Sequence, residues 1–159
     1  YIAIGGDSPE GDNEEIQVYH FDNGNLEFKD RVDFGTQVRT VAWASDKNCL
    51  AIGGLTSTDG YEVRVYYFDG SSLILTSQMN YGDEGQSGVF GIDWSPDGNY
   101  LAAGGYRPDS GKEIQVYPVS WDYGEISETS NVQMTIEMSD VTFNPSKGFT
   151  LENMKLRVK

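Results

Sequence analysis

Positive charge is scarce in this 159-residue sequence: 11 Lys and Arg stand against 25 Asp and Glu, a formal net charge of −14. Binding to a nucleic-acid backbone is therefore disfavoured, because phosphate contacts need clustered Lys and Arg and none cluster here. The acidity reads first as a source of solubility. Cysteine is almost missing too. Cys49 alone excludes an internal disulfide and a thiolate metal cluster, and its place in an apolar run suits a small core residue. The single histidine, His20, excludes a three-histidine metal site and any Ser-His-Asp arrangement repeated along the chain. No apolar run approaches the roughly 20 residues that span a bilayer, and nothing resembles a signal peptide. The chain opens YIAIGG, already inside a strand pattern, so it is expected to be part of a longer protein whose compartment is not legible here.

Glycine and aromatic residues are plentiful: 19 Gly, 10 Tyr, 7 Phe and 3 Trp suit short strands joined by tight turns. The length alone would suggest one compact domain. A search for self-similarity, which must come before any other reading, finds three related segments. They are IAIGGDSPEGDNEEIQVYHFDNG from Ile2, LAIGGLTSTDGYEVRVYYFDG from Leu50 and LAAGGYRPDSGKEIQVYPVSWDYG from Leu101. Their glycine pairs, Gly5-Gly6, Gly53-Gly54 and Gly104-Gly105, recur after 48 and then 51 residues, and Trp43 and Trp94 are also 51 apart.

Each period holds four strand-like runs. In the second unit these are Val38 to Ala44, Cys49 to Gly53, Glu62 to Phe68 and Leu73 to Tyr81. Ser95-Pro96-Asp97-Gly98 has the chemistry of a tight hairpin turn, with Pro setting the second φ and Gly leaving the turn, and Ser45-Asp46-Lys47-Asn48 is a weaker copy. The paired glycines fit either close approach between strands or a φ that other residues avoid. No helix pattern follows them, which argues against a phosphate cradle. Alternation of polar and apolar residues from Glu62 to Tyr66 and from Glu113 to Tyr117 predicts one buried face. It places Ile16, Val18, Val63, Val65, Ile114 and Val116 in the packing between adjacent sheets.

These residues resemble the WD40 repeat family, most closely in VFGIDWSPDGNYLAAGG followed after a loop by EIQVY, and the resemblance covers about Tyr1 to Gly124. It implies an all-β fold of β-propeller blades, each a four-stranded antiparallel sheet. Two departures stand out: Gly35-Thr36 replaces the family's usual Gly-His pair, and Tyr19, Tyr66 and Tyr117 stand where Trp is usual. The expected organisation is a partial blade over 1–37, blades over 38–88 and 89–130, and a tail over 131–159. A closed ring of this family usually needs about six to eight blades, or about 300 residues or more at this period. About three blades are present, so the remainder is expected from flanking sequence, and less readily from other chains. In the tail, Phe143 falls 49 residues after Trp94 and Asn144-Pro-Ser-Lys-Gly148 stands where the turn stood, yet no glycine pair follows. Residues 131–159 therefore read as a degenerate further blade or as a different β domain.

The resemblance implies a non-enzymatic scaffold that binds a protein or peptide through loops on one propeller face, without a cofactor. Tyr61, Tyr106, Arg107 and Asp109 are the candidate interaction residues, because Tyr and Arg in loops are the types that interfaces prefer. The alternative is a secreted or surface propeller that binds Ca²⁺ or carbohydrate. Asp7, Glu10, Asp12 and Glu14 would be its metal ligands, since hard carboxylate oxygens cluster there, although their spacing is not that of a recognised calcium loop. An enzyme is not expected, because no nucleophile constellation accompanies the lone His20, whose counterparts in the sister repeats are Tyr67 and Pro118.

Overall fold

The computed structural model describes residues 1–7, 14–55, 60–82, 87–106, 113–121, 141–144 and 148–151. Every element among them is a strand: β1 Ile2–Gly5, β2 Ile16–Asp22, β3 Asn25–Val32, β4 Val38–Trp43, β5 Cys49–Gly54, β6 Val63–Phe68, β7 Leu73–Met79, β8 Gly88–Trp94, β9 Tyr100–Tyr106, β10 Ile114–Pro118, β11 Val141–Asn144 and β12 Gly148–Leu151. They form antiparallel sheets in chain order: β1-β2-β3, β4-β5-β6-β7, β8-β9-β10, and the pair β11-β12. The expected strands of the second unit are all present, with ends that differ by one or two residues.

The sheets stack as propeller blades, and the core lies between them. Val18 and Ile16 of the first sheet are buried with Leu50, Ile52, Tyr66 and Phe68 of the second. Cys49, Ala51, Val63 and Val65 leave the second sheet on its other face and are buried with Val89, Ile92, Leu101 and Ala103 of the third. Successive strand residues point to opposite faces, so a strand packed on both sides has no solvent side. β5 is accordingly buried at all six positions, which is why its sequence is the unbroken apolar run CLAIGG. Each fully buried Val or Ile contributes about 1.5–3 kcal/mol relative to exposure. Burial also pushes the Cys49 thiol up to about 11, leaving it an inert core residue.

Two burial expectations need correction. Ile114 is 44 % exposed, because its repeat-mates Ile16 and Val63 are covered by the following sheet and no described sheet covers β10 in that way. In β6 the alternation does not mark a solvent face: Glu62 and Arg64 are as buried as Val63 and Val65. The Glu62 carboxylate accepts from Tyr81 N and Ser87 Oγ, and Arg64 Nη1 donates to Asp33 O.

The glycine pairs serve close approach, since none of the six has a positive φ. A Cβ on Gly5 would lie 2.2 Å from Val38 Cγ1, and one on Gly53 would lie 2.6 Å from Val89 Cγ1, so in the first two pairs the first glycine admits the valine of the next inner strand, whereas a Cβ on Gly104 would meet only Glu113 O, at 3.8 Å. The second glycine faces its own sheet's inner strand: a Cβ on Gly54 would meet Gln37 O at 2.0 Å, and one on Gly105 would meet Gly88 O at 1.9 Å. Gly6 meets no described atom within 4 Å.

The Ser95–Gly98 turn closes as its sequence requires. Gly98 N donates to Ser95 O at 2.8 Å and Gly98 takes φ 70°. In the weaker copy Asn48 takes the same left-handed φ, 52°, which Asn tolerates better than most residues with a side chain. Asp97 accepts hydrogen bonds from Ser95 Oγ, Asn99 N and Asn99 Nδ2. These donors, the Ser95 hydroxyl foremost, hold its carboxyl below the ordinary aspartate range.

Gly54→Ala is expected to lower stability by about 3 kcal/mol or more, because the opposing atom is backbone and cannot move aside, whereas Gly6→Ala should leave the thermal midpoint nearly unchanged. Iodoacetamide should label Cys49 only under unfolding conditions, read by mass spectrometry over time in native buffer and in denaturant. In an NMR titration the Asp97 carboxyl should show a midpoint below about 3.9. Its contribution to stability is thus present above that pH and is lost as the pH falls through the lower, folded value.

Candidate functional site

A repeated joint sets how the blades meet. Glu15 and Glu62 occupy the same place in two repeats, just before or at the start of the third strand-like run. Glu15 Oε2 accepts from Phe34 N at 2.8 Å and Gly35 N at 3.4 Å, and Glu62 accepts from Tyr81 N and Ser87 Oγ, each at 2.8 Å. Each carboxylate thereby ties down the segment that leads to the next inner strand. The aromatic residue held there is fully buried and reaches the following blade: Phe34 lies under the Arg64 guanidinium at 4.8 Å, and the Tyr81 hydroxyl donates to Glu113 O. The following blade answers with the residue two beyond its own glutamate. Arg64 Nη1 donates to Asp33 O at 3.0 Å and Gln115 Nε2 to Tyr81 O at 3.0 Å. Burial, and next the charge of Glu15, pushes the Asp33 carboxyl above the ordinary range.

That joint delivers the inner strands, β4 and β8, in a constant pose. Each is the edge strand of its sheet, and each carries a bulge at the same place, between Val38 and Thr40 and between Val89 and Gly91. A bulge leaves its extra residue outside the ladder and re-aims that side chain, a device common beside functional sites. The extra residues are Arg39 and Phe90, both exposed, 51 positions apart and on neighbouring inner strands. Arg39 Nη2 donates to Gln37 Oε1, and Gln37 Nε2 donates to Asp7 Oδ2 at 2.5 Å. Beside them Thr36 Oγ1 donates to Leu55 O at 3.2 Å, and Asp7 and Gln37 also form a backbone bridge. A guanidinium oriented at one end by a Gln and a carboxylate keeps its other N–H groups for an anion or a developing oxyanion.

The residues singled out from sequence are distributed as follows. Tyr106 ends β9 and is 54 % exposed, while Tyr61 lies just before β6 and is partly buried. Arg107 and Asp109 lie outside the described residues, as do Glu10 and Asp12. Asp7 serves Gln37, and Glu14 forms an ion pair with Arg31 at 2.6 Å, so the two described carboxylates of the calcium set are engaged with different partners. No group of three His, Cys, Asp or Glu suited to a metal occurs among the described residues. His20 lies in β2 against the Tyr1 ring at 5.2 Å. Sequence reading missed Gln37 and Arg39. The available signal was the one-residue surplus between Val38 and the Trp43 end of the strand, which marks a bulge only once the pairing is known.

Residues 75–111 match the family model of the WD domain, G-beta repeat. The match runs from within β7 across β8 and β9, so the sequence repeat straddles two sheets and ties each blade to the next. No curated protein matches the sequence. Among solved structures, a periplasmic gluconolactonase of Pseudomonas aeruginosa is similar at 26 % identity with TM-score 0.58, over 84 % of this chain and 38 % of that one. A putative 6-phosphogluconolactonase from Bacteroides uniformis is similar at 17 % identity with TM-score 0.56, over 84 % and 39 %. The chain thus spans well under half the length of either.

These neighbours overturn the expectation of a non-enzymatic chain, since the proteins whose sheets resemble its own are lactonases. The exclusion rested on the lone His20 and the lack of a nucleophile constellation. It fails because a propeller can draw single residues from separate blades, so the lack of a constellation within one stretch of sequence does not exclude an enzyme.

Glu62→Ala is expected to lower stability by about 3 kcal/mol, because Tyr81 N and Ser87 Oγ both lose a buried acceptor. Urea unfolding measures it, and Glu14→Ala, on an exposed ion pair, should cost less than about 1 kcal/mol. Within residues 75–111 the chain carries a WD40 repeat, and the sheets around that repeat are blades of a β-propeller.

Proposed function

We propose that this chain is the part of a β-propeller lactonase that contributes Arg39 to the substrate site. The observation that carries the reading is the likeness to the periplasmic gluconolactonase over 84 % of the chain. The bulged Arg39 adds a group of the right charge at the inner edge of the blades. The substrate class is the lactone of a polyhydroxylated acid.

In the reaction, a water oxygen bonds to the lactone carbonyl carbon, whose oxygen takes up negative charge. The ring C–O bond then breaks, its oxygen takes up the proton that the attacking water gives up, and the product is a hydroxy acid. The Arg39 guanidinium, held by Gln37 and through it by Asp7, donates to the carbonyl oxygen as charge develops and then to the product carboxylate. An oriented donor of this kind accounts for about a 100-fold to 1,000-fold rate effect.

The protein is expected to open glucono-lactone in a titration assay, and Arg39→Ala should lower kcat about 100-fold with the thermal midpoint unchanged. Absence of turnover sinks the activity, and turnover indifferent to Arg39→Ala sinks the site.

A second reading is that the loop after β9 binds a protein. It is favoured by the WD40 match, which ends at residue 111 in that loop, and by the exposure of Tyr106. Arg107 and Asp109 follow in sequence, and Tyr61 belongs to the related loop after β5. Tyr106→Ala combined with Arg107→Ala should abolish co-purification of such a partner while lactone turnover persists. Retention of the partner removes this surface.

A further inference from the structure

Asp7, Gln37 and Arg39 have counterparts one blade further on. Asp7 and Leu55 each follow a glycine pair, Gln37 and Gly88 each precede the first valine of an inner strand, and Arg39 and Phe90 are the two bulged residues. The equivalence holds in space, because Asp7 bridges to Gln37 and Leu55 to Gly88 in the same antiparallel way. All three positions change character together. The first set is a carboxylate, an amide and a guanidinium hydrogen-bonded in series. The second is leucine, glycine and phenylalanine.

The glycine explains how the second set packs. A Cβ on Gly88 would lie 2.6 Å from Leu55 Cδ2 and 3.5 Å from Phe90 Cε1, so these two side chains converge over the place where the previous blade carries the Gln37 side chain. Phe90 is still 55 % exposed. That exposure belongs to the position: Arg39 is exposed too, although the following inner strand is packed on its own, with Ile92 N donating to Thr40 Oγ1 at 3.2 Å. The two sets are joined directly. Leu55 N donates to Gln37 O at 3.1 Å, and Leu55 O accepts from Thr36 Oγ1. An oriented guanidinium and an aromatic side chain therefore stand on one rim, a blade apart. Small-molecule sites are built in this way, from an apolar wall and a few placed polar groups.

We propose that Phe90, backed by Leu55, is the specificity-determining wall of the Arg39 site, on which a sugar lactone lays the C–H face of its ring while its carbonyl meets the guanidinium. The inference takes its ligand from the lactonase reading and its wall from the concerted change at Asp7/Leu55, Gln37/Gly88 and Arg39/Phe90. A sugar ring carries its hydroxyls around the edge and leaves C–H groups on its faces, which suits an aromatic face. Contact with that face is the same before and during ring opening, so it strengthens binding without lowering the barrier. Phe90 therefore sets the affinity, whereas Arg39, which meets developing charge, sets the rate.

The test pairs kinetics on glucono-lactone with NMR binding of the corresponding lactam, a ring of the same shape that resists opening. The Phe90 ring signals are identified by their loss in Phe90→Leu. They should shift as the lactam saturates and show cross-relaxation to its C–H protons. Phe90→Ala should weaken the lactam about tenfold and raise KM for the lactone by the same factor, with kcat and the melting temperature little changed. Phe90→Tyr keeps the ring and should restore both. If the lactone is not opened but the lactam binds and Phe90→Ala weakens it, the lactonase reading falls and the wall stands. Ring signals that stay still at millimolar lactam overturn the proposal. So does a Phe90→Ala chain that binds the lactam equally well, or one that loses kcat while KM holds.

Discussion

A single sheet of this protein has no interior. Its strands present side chains to both faces, and β5, with six buried residues, is stable only because one sheet covers Leu50 and Ile52 while another covers Cys49 and Ala51. Blade-on-blade burial is thus the constraint on which everything else depends, and it is a nearest-neighbour constraint. It explains the glycine pairs, since two faces can approach this closely only where Cβ is missing from the inner-strand crossing. It also explains why residues at equivalent positions of the repeat, Val63 and Ile114, differ so much in burial: one has a following blade and the other has no described blade over it.

Against that apolar background the buried charges carry orientation. A carboxylate such as Glu62, with no exposed surface, is tolerated because a backbone N–H and a hydroxyl satisfy its oxygens. In return the segment that leads to the next inner strand is fixed, and its aromatic residue becomes the wedge on which the next blade sits. Arg64 over Phe34 and Gln115 on the Tyr81 carbonyl repeat the contact one blade further on. The same joint sets the bulges of β4 and β8, and hence where Arg39 and Phe90 emerge. The joint that holds the blades together therefore also leads into the strands that carry the candidate site.

Much of this was legible in sequence. The recurrence of the glycine pairs and of Trp43 and Trp94 gave the period, and the strand chemistry between them gave four strands per period. The turn at Ser95–Gly98 formed as its residues require. Polar alternation misled at Glu62 and Arg64. A charged residue on a strand ordinarily marks solvent, and only the packing of the segments before the inner strands shows Tyr81 N on the Glu62 carboxylate and Asp33 O on Arg64 Nη1. Arg39 was illegible for a different reason: a bulge is a property of two paired strands, and one strand alone does not display it. The absence of a catalytic constellation in one stretch of sequence carried little weight, because a propeller can draw single residues from separate blades.

The sequence by itself determined the local events: strand type, turn positions, repeat length and the need for glycine at fixed intervals. Those follow from the φ preferences and side-chain shapes of neighbouring residues. Tertiary structure alone decided which glycine faces which valine and which side chain the inner edge presents. Each of these depends on the relative placement of residues about 50 positions apart, where spacing in the chain carries no information on distance in space until the blades are stacked.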